Sequence, residues 1–576
     1  MSGIDWAVLV CTLLGIIGYG LYKGRASRNL EGYFLSNRSM PWYLVLLSIM
    51  GTQASAITFL SAPGQAYTDG MRFVQYYFGL PLAMIVICIA FVPIFSRLKV
   101  YTAYEYLEQR FDGKTRTITS VLFLLSRGLS TGISVFAPSI ILSSLFGWNI
   151  YWTNLFMGGL LIIYTMSGGA KAVAYTQQLQ LIIIFTGIFL AAYMVVNMLP
   201  PEVGFADALH VSGRLGRLNV ITSGFKEGQF NWSDQYNLWS GLVGGFFLAL
   251  SYFGTDQSQV GRYLTAKDLS ESRIGLLMNG IVKVPMQFLI LLVGALVFTF
   301  YQFNSAPVFF NEVQVEKVMQ SPLKDSFLLA QQQYDRVQVQ KQSAVQAFSR
   351  LRGTGPAEAE ATARLQQLQA SADSIRTGVK SMIQSKKVGG DANDTNYIFL
   401  RFVVDHLPVG LVGLLIAIIF LASWGSIAAA INSLAGCTMI DFYKRFKKEP
   451  QSTEKEYQLS QLFTLLWGLF CIVVAMFTYN LGNSLIEAVN VLGSLFYGVI
   501  LGVFLVAFFL PRVRNGSAVF WAALLGEAVV VGVFAATKLG AFKLGFLWLN
   551  PIGALAVVFF AVILHLTLFR TESRPA

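Results

Sequence analysis

Met50-Gly-Thr-Gln-Ala-Ser-Ala-Ile-Thr58 lies in the middle of an apolar stretch that runs from about Pro41 to Ala66. A helix facing lipid would not carry Gly51, Thr52, Gln53, Ser55 and Thr58 at that depth. Backbone broken inside a membrane survives only where protein or a water-filled cavity receives its polar groups. A second interruption, Phe253-Gly-Thr-Asp-Gln-Ser-Gln259, ends another apolar stretch about 200 residues later. Two interrupted apolar segments in corresponding positions of two halves point to a binding site near the membrane midplane. Small and polar residues that merely let helices pack closely would explain one such stretch, but they explain a matched pair less well.

The rest of the chain agrees with a membrane setting. Of its 576 residues 55% are hydrophobic and 12% charged, and the mean hydropathy is +0.58. That excludes an ordinary soluble protein and indicates an all-α polytopic membrane protein. The apolar runs predict about thirteen spanning helices. The first run follows Met1-Ser-Gly-Ile-Asp-Trp6 without a basic leader or a cleavage site, so it reads as a retained helix. Cys11, Cys88, Cys437 and Cys471 all fall in apolar segments without ligand spacing and read as packing residues. The net charge of +12 does not imply nucleic acid, because the basic residues sit in short loops between apolar runs. Arg25, Arg28, Arg38, Arg97, Lys99, Arg110, Arg262, Lys448, Arg512, Arg570 and Arg574 fall on one side of an alternating topology. That side is cytoplasmic by the positive-inside rule, which puts the N-terminus outside and the C-terminus inside a cell (inner) membrane. Lys538 and Lys543 run against it. No nucleotide loop, metal cluster or nucleophile–base pair suggests an enzyme.

Two external segments are long. Residues 199–237 are polar and read as irregular. Residues 302–397 read as a soluble insert, in which Ala361, Leu365, Leu368, Ala372, Ile375, Val379 and Met382 repeat every four and three residues. That is a heptad seam and predicts a helical hairpin, turned at Gly353-Thr-Gly-Pro356. It is either a passive decoration or an arm for a protein partner.

Four further stretches carry a family resemblance over nearly the whole chain except the hairpin. They are Gly254-Thr-Asp-Gln-Ser-Gln-Val-Gly-Arg-Tyr-Leu-Thr-Ala-Lys267, Gly168-Gly-Ala-Lys-Ala-Val-Ala-Tyr-Thr176, Asn432-Ser-Leu-Ala435 and Asp441-Phe-Tyr-Lys444. Their order and spacing resemble the sodium:solute symporter family, which includes sodium–glucose, monocarboxylate and multivitamin cotransporters and bacterial members. The resemblance implies a LeuT-type fold, a five-plus-five inverted repeat. The chain then divides into an extra N-terminal helix and loop (1–40), a first repeat (41–198), an external loop (199–237), a second repeat (238–510) interrupted by the 302–397 hairpin, and extra C-terminal helices (511–576).

The resemblance also implies sites. One sodium ion would be held by carbonyls of Gly51, Ala54 and Ala422 and by hydroxyls at positions 425 and 426. Here only Ser426 carries one, since position 425 is Gly425. Ala428 and Ala429 stand where some relatives build a second sodium site, and Gln177 stands where the family has an acid on the ion's path. Lys283, a charge inside an apolar run and so a functional candidate by itself, matches a substrate-contacting lysine of the sugar transporters. Gln53 matches a polar substrate contact and Tyr252 the aromatic inner gate. Tyr77 falls where sugar transporters carry a glutamate, and Asn490 near a polar contact of the tenth core helix. Arg127 is a second buried cation, midway along the fourth apolar run. Two cations without the acid lean towards an anionic solute. The expected function is sodium-coupled import of a small polar or anionic organic solute by alternating access. A proton-coupled or uncoupled carrier, or a solute-sensing transceptor, are the alternatives.

Overall fold

The computed structural model describes residues 1–24, 30–351, 355–447, 452–478 and 484–569. Arg25, Arg28, Lys448, Arg570 and Arg574 of the orientation argument, and Gly353 and Thr354 of the hairpin turn, lie outside the described residues. Among the described residues ten helices are long and apolar enough to cross a membrane, and Trp42–Gln53, Ile150–Met166 and Ser240–Thr255 are shorter apolar helices.

Two of the short helices are short because the chain breaks where the sequence predicts. Trp42–Gln53 starts after Pro41 and ends at Ala54 (φ −79°, ψ 82°) and Ser55 (φ −88°, ψ 169°), and Ala56–Asp69 then resumes the helix. Twelve residues rise only about 18 Å, roughly half a bilayer. The second half-helix runs to Asp69, about three residues beyond the end of the apolar stretch. Gly245–Thr255 is followed by Asp256 (φ −74°, ψ 118°) and by the short helix Gln257–Tyr263. The Asp256 carboxylate caps that helix, accepting from Ser258 N at 2.7 Å and Ser258 Oγ at 2.6 Å.

Residues Ile150–Met166 and Lys171–Asn197 are apolar helical stretches. Tyr164 Oη and Thr176 Oγ1 are 2.7 Å apart, whereas twelve residues of straight helix would separate their Cα atoms by about 18 Å. The chain therefore turns back between them, as the small residues Gly168 and Gly169 suggest.

The two long segments between apolar runs, 199–237 and 302–397, are more ordered and better anchored than their sequence suggests. Residues 199–237 contain the helix Phe205–Arg214 and a two-stranded ribbon, Phe225–Lys226 with Gln229–Phe230. The ribbon turns on Glu227 (φ 52°) and Gly228 (φ 79°), the pair of positive φ angles that a tight hairpin needs. The helix buries Ala208, Val211 and Ser212.

The insert forms the helices Lys324–Arg350 and Pro356–Gln384. Leu365, Ala372 and Val379 of the seam are buried, but so are Glu358, Arg376 and Ile383. The buried face is rotated because charged residues on its flank dock on the rest of the protein. Glu358 Oε1 pairs with His210 Nε2 and Arg214 Nη2, both at 2.9 Å. Arg376 Nη2 and Lys380 Nζ reach Asp394 at 2.7 and 3.2 Å. Asp394 also accepts from Phe310 N at 3.1 Å, and it immediately precedes the helix Thr395–His406. That helix presses on Ala56–Asp69 so closely that a Cβ at Gly64 would run into the Thr395 carbonyl. The hairpin is therefore wired, through Asp394 and the helix Thr395–His406, to the second half of the broken helix.

Candidate functional site

A cavity of about 110 Å³ opens beside the first break. Thr52, Gln53, Ser55 and Thr58 line it from the broken helix; Tyr76 and Tyr77 from the next segment; Arg127, Ser130, Thr131 and Ser134 from Gly113–Phe146; and Tyr252, Ser426, Asn490 and Tyr497 from three further helices. Five of the six residues predicted to meet solute thus share one wall: Gln53, Tyr77, Arg127, Tyr252 and Asn490. The sixth, Lys283, does not line the cavity. It is fully buried on Leu269–Phe303, with its ammonium 5.5 Å from the centre of the Tyr77 ring. Its Nζ has no hydrogen-bond partner among the described residues. The apolar context reveals a buried lysine; it does not reveal that a tyrosine stands between it and the cavity.

Arg127 supplies the cavity's charge. Its guanidinium lies 5.7 Å from the centre of the Tyr252 ring, and its Nε has no hydrogen-bond partner. Among the described residues it makes no ion pair within 4 Å. Asp256, one candidate partner, is held instead by Ser258 and by Tyr497 Oη at 2.9 Å. Tyr252 Oη accepts from Gln259 Nε2 at 2.8 Å, and Tyr76 Oη donates to Asn490 Oδ1 at 3.2 Å. Gln53 Oε1 is buried with no hydrogen-bond partner among the described residues. Unpaired buried polar atoms are uncommon in native proteins, and a ligand or water is the usual explanation. The hydroxyls of Ser130, Thr131 and Ser134 escaped the sequence reading. With Arg127 they stand at i, i+3, i+4 and i+7, a polar stripe on one face of an apolar helix.

Of the predicted cation ligands, Ser426 lines the cavity together with Thr52, Gln53 and Ser55 of the break. In a continuous helix Ser55 N would bond Gly51 O, but here it donates to Gln53 O at 3.0 Å. Thr58 N would bond Ala54 O, but it donates to Ser55 O at 2.9 Å. Gly51 and Ala54 thus both lose the helical donor of their carbonyls. Ser426 Oγ donates to Ala422 O at 2.9 Å and Ser423 O at 3.1 Å, which leaves the oxygen's lone pairs for a cation. Carbonyls freed of their helical donors and a hydroxyl oxygen are donors of the kind that a hard cation takes. Gly425 contributes backbone only, and its carbonyl accepts from Gln177 Nε2 at 3.1 Å.

Two broken helices enclosing a polar cavity within a bundle of apolar spans define a membrane carrier. The chain belongs to the sodium:solute symporter family, whose model matches residues 33–321 and 376–526. The gap between the two matches falls on the helical hairpin. The chain is 24% identical over 561 residues to a sodium/sialic acid symporter of Proteus mirabilis, covering 96% of this chain and 93% of that protein. It is 29% identical over 302 residues to the human sodium/iodide cotransporter, covering 52% of this chain and 45% of that protein. Its fold resembles the substrate-bound, outward-open structure of a Na+-coupled sialic acid symporter, with a TM-score of 0.73 at 21% identity and 98% of each chain covered. The family is one of transporters, not enzymes.

Proposed function

We propose that this sodium-coupled symporter imports a small organic anion, and that Arg127 binds the solute's carboxylate. The observation that carries the anion is Arg127 itself. It is a guanidinium, at a membrane-buried cavity, that makes no ion pair within 4 Å among the described residues, surrounded by hydroxyls and tyrosines that match a polar solute. A planar guanidinium suits bidentate carboxylate recognition. Gln53, Tyr77, Tyr252 and Asn490 complete the solute wall, and Lys283 stands in reserve behind Tyr77. Gly51, Ala54, Ala422 and Ser426 hold one sodium ion.

In this reading thirteen spans form the 41–198 and 238–510 repeats with flanking helices, the hairpin lies outside, and the C-terminus is cytoplasmic. Sodium bound between Trp42–Gln53 and Leu411–Cys437 favours the outward-open state, and solute closes it. Opening on the other side then releases both. Coupling requires the ion to bind one state better than the other.

The test is uptake into vesicles under an imposed sodium gradient, with a panel of carboxylates that includes sialic acid beside neutral sugars. Carboxylates should be taken up and should lose uptake in Arg127→Gln. Uptake of neutral sugars alone refutes the anion. A second reading, a proton-driven or uncoupled carrier, is favoured by the neutral Gln177 on the ion's path; uptake that follows a pH gradient but ignores sodium would establish it.

A further inference from the structure

Gln177 is completely buried where three helices meet, one layer behind the cavity wall. Its Oε1 accepts from Ser48 Oγ at 3.0 Å, and its Nε2 donates to Thr52 Oγ1 at 3.3 Å and Gly425 O at 3.1 Å. One neutral amide therefore bonds the inner half-helix, Trp42–Gln53, and the long helix Leu411–Cys437 together. Both flanking helices carry glycine against it. A Cβ at Gly51 would sit 2.8 Å from Gln177 Cβ and Cγ, and one at Gly425 would sit 3.3 Å from Gln177 Cγ. A side chain at position 51 would force the amide out of its slot, while one at position 425 would run first into Gln180 Oε1.

Among the described residues these are the only side-chain hydrogen bonds that tie Trp42–Gln53 to Ile150–Asn197 or to Leu411–Cys437. Thr52 and Ser426, one on each side of the seam, both line the cavity. A solute leaving towards the Trp42 end has to part that seam. We infer that Gln177 is a positioning residue, the latch that holds the inner half-helix closed beneath the cavity. The inference rests on the carrier reading but not on the identity of the coupling ion. The latch is neutral, so its strength does not follow pH. It is also assembled from a half-helix, and a half-helix swings with fewer broken backbone bonds than a continuous one.

The experiment is hydrogen–deuterium exchange of the purified full-length chain in detergent, without solute, for the parent, Gln177→Leu and Gln177→Asn. Leucine keeps the volume and removes every bond; asparagine keeps the amide but withdraws it by one methylene. Both should raise exchange in residues 42–55, leucine by about tenfold, the factor that about 1.4 kcal/mol makes. Residues 269–303 should keep the parent's rate. Sodium alone is the second probe, read by the thermal midpoint, and both variants should need more sodium for half of the parent's shift. Exchange in 42–55 within twofold of the parent overturns the latch. So does a rise spread evenly over all helices, which would mark general loosening. A parent that does not respond to sodium removes the sodium reading but leaves the exchange measurement to decide the latch.

Discussion

Replacing Arg376 with methionine should free the helical hairpin from the rest of the protein. Arg376 is 10% exposed and Asp394 is fully buried, with 2.7 Å between their charged atoms. The substitution leaves a carboxylate with Lys380 at 3.2 Å and the Phe310 amide at 3.1 Å as its remaining partners. Removing one partner from a buried pair costs about 3–5 kcal/mol; Lys380 is a third exposed and recovers part of that. A net loss of about 2–3 kcal/mol remains, on the scale set for unpaired buried groups.

The pH behaviour follows from the same geometry. Burial alone would raise the Asp394 carboxyl, but Arg376, Lys380 and the Phe310 amide together hold it below its ordinary value. An acid depressed in the folded state stabilises it above the unfolded pKa and loses that contribution as pH falls through the folded one. The parent should therefore be insensitive from pH 5 to 8 at this site. In Arg376→Met the main opposing charge is gone, so the defect should shrink as pH is lowered and the carboxyl takes a proton. Thermal melting with limited proteolysis of residues 324–384, between pH 4 and 8, reads both effects. Combining Arg376→Met with Asp394→Asn should cost less than the sum of the two. Additive losses, or an Arg376→Met midpoint equal to the parent's at every pH, would show that the pair does not hold the hairpin.

Deleting 314–388 with a short bridge removes both cations from Asp394, so the deletion should insert and transport far better when Asp394→Asn accompanies it; equal yields would refute the clamp. Ser426→Ala should raise the sodium concentration for half-maximal uptake several-fold and leave uptake at saturating sodium near the parent's, since about one oxygen ligand is lost. Lys283→Met removes a buried ammonium without a partner, so the thermal midpoint should rise while uptake falls. Unchanged uptake would make Lys283 purely structural. Glu105, in the short helix Glu105–Arg110, is raised to about 7 by burial, with Asp441 adding to it and Arg116 opposing. Because the folded state keeps that proton longer, stability should decline between pH 4.5 and 7, and Glu105→Gln should flatten the decline in a melting series.

Much of the site was legible because the membrane makes polarity conspicuous. Thr52, Gln53, Ser55, Thr58 and Arg127 stand out against apolar runs, since each would be costly facing lipid. All five line the cavity. Family resemblance added Tyr77, Tyr252 and Asn490, whose aromatic or amide character is unremarkable in a sequence. Ser130, Thr131 and Ser134 needed only the helical period applied to Arg127. Lys283 shows the limit: its intramembrane charge is plain, but its distance from the cavity depends on where the Tyr77 ring lies.

The sequence alone determined that the chain is a bundle of membrane helices, that two of them break, and where the breaks fall. Those properties are local, set by the hydropathy of about twenty consecutive residues and by polar residues that lipid cannot accept. The hairpin's helical character was local too, carried by its heptad spacing. Tertiary structure decided which face of the hairpin is buried, because Arg376 and Glu358 are hydrophilic in any sequence scale and become interior only when Asp394, His210 and Arg214 arrive opposite them. It also decided the partners of Gln177. Ser48, Thr52 and Gly425 lie up to 248 residues away in two directions along the chain, and only the packing of three helices brings their oxygens within reach of one amide.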